Sequence, residues 1–197
     1  MTHPRVAEAS LGQLFTEART HSGWNADPVP ASLLQELYEL ARLGPTSMNC
    51  QPMRLVFLTT AEAKERLRPA LNASNVDKAM AAPVTAIVSF DSQYYEWMPK
   101  VWHNPAARDN FASNPALAEA TAFRNGSIQG GYLILAARAL GLDCGPMSGF
   151  NNAKVDAEFF PDGRWKSNFL CNLGRGDASR LKSRQPRLAF EDACRVL

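Results

Sequence analysis

NPALAEATAFRNGSIQGGYLILAARALG, residues 114–141, decides the architecture. Asn114 followed by Pro115 is an N-cap and first-turn pair, because the carboxamide can accept from a backbone N–H and proline lacks the N–H that the first turn leaves unpaired. Residues 115–140 then read as one helix about 39 Å long at ~1.5 Å per residue, closed by Gly141. The run is apolar over most of its circumference, so it belongs in the middle of a protein with neighbours on several sides. Gly126, Gly130 and Gly131 lie inside it, each costing ~1 kcal/mol of propensity relative to alanine. Something therefore approaches that backbone closely: a neighbouring helix, a flat cofactor, or both where two subunits meet.

Toward the N-terminus, Leu11, Leu14, Phe15 and Ala18 give helical spacing over residues 11–20. Leu33, Leu34, Leu37, Leu40 and Ala41 repeat it over residues 31–43. The polar turn Arg19-Thr20-His21-Ser22-Gly23 lies between these helices, and a second polar loop, residues 44–52, follows them. Residues 54–60 read as a strand, followed by a helix that Thr59 and Glu62 start as a capping box. Residues 84–90 form a second, buried strand. Residues 91–114 are irregular, with Tyr94, Tyr95, Trp97, Trp102 and Phe111 crowded among Pro99, His103 and Pro105; so much aromatic surface on a long loop makes a lid or a contact surface.

Beyond the long helix, residues 144–150 read as a compact loop, 152–159 as a short helix and 167–173 as a third strand. The tail then carries Arg175, Arg180, Lys182, Arg184 and Arg187. This order of elements predicts an α+β fold, with helices around a small sheet and no regular βαβ alternation.

The 197 residues, 46% hydrophobic and 20% charged, suit one globular domain over residues 1–197. A net charge of +2 is too mild to indicate a nucleic-acid surface, so any electrostatic function is local. The most apolar run, residues 79–90, contains Pro83 and falls short of the ~20 residues that span a bilayer, and residues 1–14 lack an apolar export segment. Four widely spaced cysteines without a CxxC point to a reducing cytosol. Three histidines without HExxH or i, i+4 partners give no metal site. Gly174-Arg175-Gly176-Asp177-Ala178-Ser179 nearly spells a dinucleotide fingerprint, yet too little chain follows for the second strand and acidic ribose ligand. Gly145-Pro146-Met147-Ser148-Gly149 has the order GxxSG, not the GxSxG of a nucleophile elbow. Cys50 and Cys144, beside proline or glycine, leave both an inert and a reactive thiol open.

One constellation survives. Arg19, Thr20 and His21 together with Lys182 and Arg184 suit a phosphate, since guanidinium binds it through paired hydrogen bonds, lysine adds a point charge and threonine a short neutral bond. Taken alone, such a tail is more often a solvated basic strip.

From Gln13 to Arg187 the set of loops resembles the nitroreductase family of FMN-dependent oxidoreductases. Arg19-Thr20-His21 looks like the family's opening phosphate element. Pro45-Thr46-Ser47-Met48-Asn49-Cys50-Gln51-Pro52 is similar to the loop that touches the flavin from the other subunit. Asn75-Val76-Asp77-Lys78 resembles the N-x-x-K element at the pyrimidine side, Pro146-Met147-Ser148-Gly149-Phe150 the loop whose backbone N–H faces flavin N5, and Lys182-Ser183-Arg184-Gln185-Pro186 the phosphate clamp. His21, where many members have a second basic residue, and Met53, in place of a common tryptophan, depart from the pattern.

The resemblance implies a nitroreductase-like fold with a mainly antiparallel sheet and the long helix at a homodimer interface. It implies bound FMN and NADH or NADPH as hydride donor, with no nucleic acid, membrane or metal involved. FMN ligands would be Arg19, Thr20, His21, Pro45, Thr46, Ser47, Asn49, Asn75, Lys78, Pro146, Met147, Ser148, Gly149, Lys182 and Arg184, with Ser148, Gly149 and Lys78 closest to the chemistry. Gly44-Pro45-Thr46-Ser47, Thr121-Ala122-Phe123-Arg124-Asn125 and Gly145-Pro146-Met147-Ser148-Gly149-Phe150 bring it nearest the short branch that contains malonic semialdehyde reductase of pyrimidine breakdown. A nitroaromatic or quinone reductase would share every one of these motifs. A non-catalytic protein whose basic tail binds RNA or an acidic partner would instead show salt-sensitive binding and no flavin.

Overall fold

The computed structural model describes residues 3–197. Helix α1 (Glu8–Leu11) runs into a π-helical turn (Gly12–Thr16). Helix α2 (Ala31–Ala41), strand β1 (Met53–Leu58), helices α3 (Ala61–Leu67) and α4 (Ala73–Ala81) and strand β2 (Val84–Asp91) follow. Short helices α5 (Met98–Val101) and α6 (Ala107–Ala112) precede the long α7 (Pro115–Ala139). Strand β3 (Asp143–Met147), helix α8 (Asn152–Phe159), strand β4 (Trp165–Gly174) and helix α9 (Phe190–Ala193) complete the order.

The strands form one sheet in the order β1-β2-β4-β3, every pair antiparallel. Helices cover both faces, which gives the expected α+β architecture. Alternation along β2 sends Val84, Ala86 and Val88 toward α2 and α7, while Ile87 joins Leu58, Leu67, Val155 and Leu170 on the opposite face. Strand β2 is buried at every position, and its polar residues Thr85, Ser89 and Asp91 are each hydrogen-bonded, to Asn172, the Arg54 carbonyl and Arg54.

Helix α7 is capped as expected, the Asn114 side chain accepting from the Leu117 N–H at 3.1 Å. It packs Leu133, Ala136 and Ala137 against Leu34, Leu37 and Ala41 of α2; full burial of a leucine such as Leu37 contributes about 1.5–3 kcal/mol. What approaches Gly126 and Gly130 within the chain is the sheet, a Cβ on Gly130 lying 2.6 Å from the Phe169 ring of β4, whereas Gly131 has nothing within 4 Å. Phe123, Ile128 and Tyr132 stay exposed on α7.

Several local expectations are corrected. The first helical stretch begins earlier and ends at Thr16; Thr20 instead forms a parallel bridge with Cys144. The cap of α3 is Thr60, whose Oγ1 accepts from the Ala63 N–H at 3.1 Å, and alanine at the third helical position cannot complete a capping box. Residues 144–150 are not wholly a loop but contribute most of β3; Pro146 is tolerated there because β3 lies at an edge of the sheet.

Residues 91–114 form a small helical cap with its own core. Tyr94, Met98 and Phe111 bury with Cys50, Phe90, Ala118 and Ala122, and the Tyr94 and Phe111 rings meet edge to face at 5.4 Å. The aromatic residues that looked like loop surface are therefore largely internal, with Trp97 left exposed. Asp91 ties the base of the cap to the sheet: its carboxylate accepts from Arg54 at 2.8 Å and from Arg164 at 2.8 and 2.9 Å.

Candidate cofactor site

Residues 20–21 run extended beside β3, Thr20 bridging Cys144 and the His21 N–H donating to the Cys144 carbonyl at 3.0 Å, before the chain bends at Ser22 and Gly23. Successive side chains of extended backbone face opposite sides, so Thr20 is exposed and His21 buried; beyond them Ser22 is exposed and Gly23 buried. Arg19, Thr20 and Ser22 line a cleft of about 580 Å³ together with Arg180, Lys182, Arg184 and Arg187 of the tail, and α7 adds Arg138 from its last turn. Six cations and no carboxylate line this cleft. Its walls are stapled together, Arg19 donating to the Lys182 carbonyl and Arg184 to the carbonyls of Thr16 and Ala18 at 2.9 and 3.1 Å. The cations expected to converge from opposite ends of the chain do so.

His21 is the exception. It lies outside the cleft lining, 7% exposed, with Nε2 3.4 Å from Asp143 Oδ1. Asp143 Oδ2 in turn accepts from the Gly176 N–H at 2.8 Å. His21 thus docks the segment that carries Arg19 and Thr20, because the extended backbone turns it to the inner side. Arg138, Arg180 and Arg187 join the cleft without having been singled out. The two tail residues carried the signal of a basic run, whereas Arg138 carried none beyond its place near a helix end.

A second cluster lies beyond the other end of β3. Asn75 and Lys78 are neighbours one turn apart on α4, and Lys78 Nζ donates to Asn75 Oδ1 at 3.0 Å. Asn75 Nδ2 donates to the Gly149 carbonyl at 3.0 Å, which also accepts from the Asn72 N–H at 3.0 Å. The Lys78 carbonyl accepts from Trp24 and Asn172 at 3.2 and 3.1 Å, fixing α4 against the sheet. Pro146 and Met147 are paired with Cys171 and Leu170 inside the sheet. Among the described residues, the N–H groups of Ser148 and Gly149 have no backbone acceptor, so both are free to donate. From Cys144, bridged to the cleft residue Thr20, to Gly149 is a chain length of about 16 Å at ~3.3 Å per residue.

The loop carrying Pro45, Thr46, Ser47 and Asn49 makes a third, separate element, and none of these residues lines the basic cleft. The Ser47 N–H donates to Asn125 Oδ1 of α7 at 2.8 Å, Thr46 Oγ1 accepts from the Gln51 N–H at 3.2 Å, and Asn49 Nδ2 donates to the Val101 carbonyl of α5 at 2.8 Å.

A family model described as the nitroreductase family matches residues 16–175. The chain belongs to the nitroreductase family. Among solved structures it is similar to an Exiguobacterium sibiricum protein assigned to the nitroreductases and determined in complex with FMN, with a TM-score of 0.85 and 17% identity over 98% of this chain and 99% of that one. It is similar also to a Staphylococcus epidermidis protein assigned as an NAD(P)H:FMN oxidoreductase, with a TM-score of 0.81 and 17% identity over 100% and 99% of the two chains. A Streptococcus pneumoniae nitroreductase family protein matches with a TM-score of 0.82 and 18% identity over 94% and 98%. At these identities the likeness is one of fold.

In this family member the two thiols left open by the sequence, Cys50 and Cys144, are buried. Burial pushes Cys50 up to about 11 despite a hydrogen bond from Thr46, and Cys144 lies fully buried inside β3. Among the described residues no cluster of histidine, cysteine and carboxylate is placed to hold a metal, and no helix is long and apolar enough to cross a membrane. The seam between β3 and residues 20–24 is tight: a Cβ on Gly145 would lie 2.5 Å from the His21 carbonyl oxygen. Gly145→Ala should therefore cost about 1–3 kcal/mol and push Arg19 and Thr20 away from the tail. Thermal melting and FMN titration check both effects, and an unchanged melting curve would show that the seam yields freely.

Proposed function

We propose that the protein is an FMN-dependent NAD(P)H oxidoreductase, acting as a homodimer, whose acceptor is a small aldehyde such as malonic semialdehyde, reduced to 3-hydroxypropionate. One observation carries the reading: a cleft of six cations is joined by β3 to the Asn75, Lys78 and Gly149 cluster. The donor set fits FMN. Arg19, Thr20, Lys182 and Arg184 would hold the phosphate dianion, and Arg138, Arg180 and Arg187 add to the field that attracts it. Bound there, FMN would supply hydride transfer between NADH or NADPH and the second substrate.

The chain's own groups bind and orient. Lys78, fixed by Asn75, brings a positive charge to the edge that the family resemblance assigns to the pyrimidine ring, where it stabilises negative charge. The free N–H groups of Ser148 and Gly149 supply donors at the N5 side. In the net reaction the aldehyde carbon gains hydride and its oxygen gains a proton, which water can supply, so no side chain is obliged to act as general acid.

Dimerisation is supported by apolar surface: Phe123, Ile128 and Tyr132 on α7, and the tail with Leu188 and Phe190 at 75% and 61% exposure. Such surface marks an interface. A shared site also accounts for the loop with Pro45 and Asn49 standing apart from its own chain's basic cleft. Four free cysteines suit a reducing cytosol.

Purified protein should show flavin bands near ~370 and ~450 nm, sediment as a dimer, and oxidise NADH or NADPH faster with malonic semialdehyde than with nitroarenes or quinones. A colourless protein that takes up no FMN sinks the reading. Faster turnover of a quinone or nitroarene reassigns the acceptor alone.

A further inference from the structure

A second cavity, about 660 Å³, opens between α2, β1 and the cap. Tyr38, Trp97 and Trp165 give it aromatic walls, and Arg42, Arg54 and Lys100 face it with no carboxylate in the lining. Two of these cations are already neutralised. Arg42 pairs with Glu39 at 2.7 Å and Arg54 with the buried Asp91 at 2.8 Å. The cap's Arg108 is likewise held by Glu96 and Asp109 at 2.7 and 2.9 Å. Among the described residues Lys100 alone of the three lining cations has no carboxylate within 4.0 Å, and its ammonium lies 5.8 Å from the centre of the Trp97 ring. The cavity thus presents one uncompensated positive charge over an aromatic face.

The position of Lys100 matters as much as its charge. It is adjacent to Val101, whose carbonyl holds Asn49, and Cys50 and Gln51 of the same loop line the cavity. That loop is the one the family resemblance sets against the flavin of the other subunit. We propose that this cavity admits the electron acceptor and that Lys100 selects an acceptor bearing a single carboxylate. The inference rests on the function proposed above and deepens it by naming the substrate class. A lysine ammonium and a carboxylate form a charge-assisted hydrogen bond, while the apolar walls accommodate a short carbon chain and exclude a second charge for want of a second free cation.

Two measurements on the full-length protein test this. In the first, kcat/KM is compared for malonic semialdehyde against propanal, and for 4-nitrobenzoate against nitrobenzene, in wild type, Lys100→Gln and Lys100→Arg. The charged-to-neutral ratio should fall about 10- to 100-fold in Lys100→Gln and largely return in Lys100→Arg; equal ratios in all three proteins would overturn the proposal. In the second, calorimetry follows 3-hydroxypropionate binding, which needs no turnover. Affinity should weaken at least about tenfold in Lys100→Gln, and no binding to wild type, or equal binding to both proteins, would overturn the proposal. Lysine-dependent binding of the anion by a protein without flavin would uphold Lys100 as a carboxylate ligand but overturn the cavity's role as acceptor site together with the proposed oxidoreductase function, whereas a flavin-bearing protein that fails both measurements would overturn this inference alone.

Discussion

Arg19→Ala is expected to leave the purified protein without flavin. The Arg19 side chain lines the basic cleft and also donates to the Lys182 carbonyl, so in the proposed function it would be a phosphate donor as well as the strap that holds a second cation in place. Hydrogen bonds to charged groups contribute about 1.5–3 kcal/mol each, and losing a bidentate pair weakens FMN binding by at least about a hundredfold. Affinity should also fall with added salt, because the cleft is open and its field is screened over about 10 Å at 0.1 M ionic strength. Flavin retained through gel filtration and a fluorescence titration of the apoprotein read the effect. Wild-type affinity in the variant would show that the phosphate lies elsewhere. The melting temperature of the apoprotein should move little, since Arg19 is only partly buried and no packed core depends on it.

Asp91→Ala should cause the largest loss of stability. The carboxylate is 1% exposed and compensates Arg54 and Arg164, which are 20% and 31% exposed. Removing one partner of a buried pair costs about 3–5 kcal/mol, and here two guanidiniums are stranded at the base of the cap. For a domain of this size that corresponds to roughly 6–20 °C in melting temperature. Burial pushes the Asp91 carboxyl up, but the Arg164 bonds, the Gln93 N–H and the charges of Arg54 and Arg164 outweigh it and hold the group below its ordinary value. A carboxyl depressed on folding contributes fully above its unfolded pKa of about 3.9. That contribution is lost as pH falls through the lower folded value. Wild type should therefore lose stability below about pH 4 more steeply than Asp91→Asn, which is already weakened at neutral pH. Parallel acid-unfolding curves would remove Asp91 from this role.

Much of this was legible in the sequence because the relevant signals are local. Helix α7 announces itself through Asn114-Pro115 and a long apolar run, and the short helix over 152–159 and the strand over 84–90 were likewise readable from nearby residues. Strand β3 did not, because Gly145 and Pro146 are poor strand formers and only pairing with β4 makes the segment extended. The cap failed differently: its rings looked like surface because nothing nearby in the chain shows that Tyr94 and Phe111 face each other. At the site, charge alone left the tail readable as a solvated basic strip, and only the family resemblance set Lys182 and Arg184 beside Arg19; the inward turn of His21 depends on the bridge between Thr20 and Cys144, a contact across more than a hundred residues. Arg138 lay hidden among helix residues for the same reason.

Strand β3 connects the cationic cleft to the Lys78 cluster with extended chain. Extended backbone has no slack: an inserted residue lengthens it by about 3.3 Å and inverts the facing of everything beyond. The gauge between the two anchor points is thus protected against drift, and a group held at both ends would keep its place while whatever overhangs that rail is remodelled.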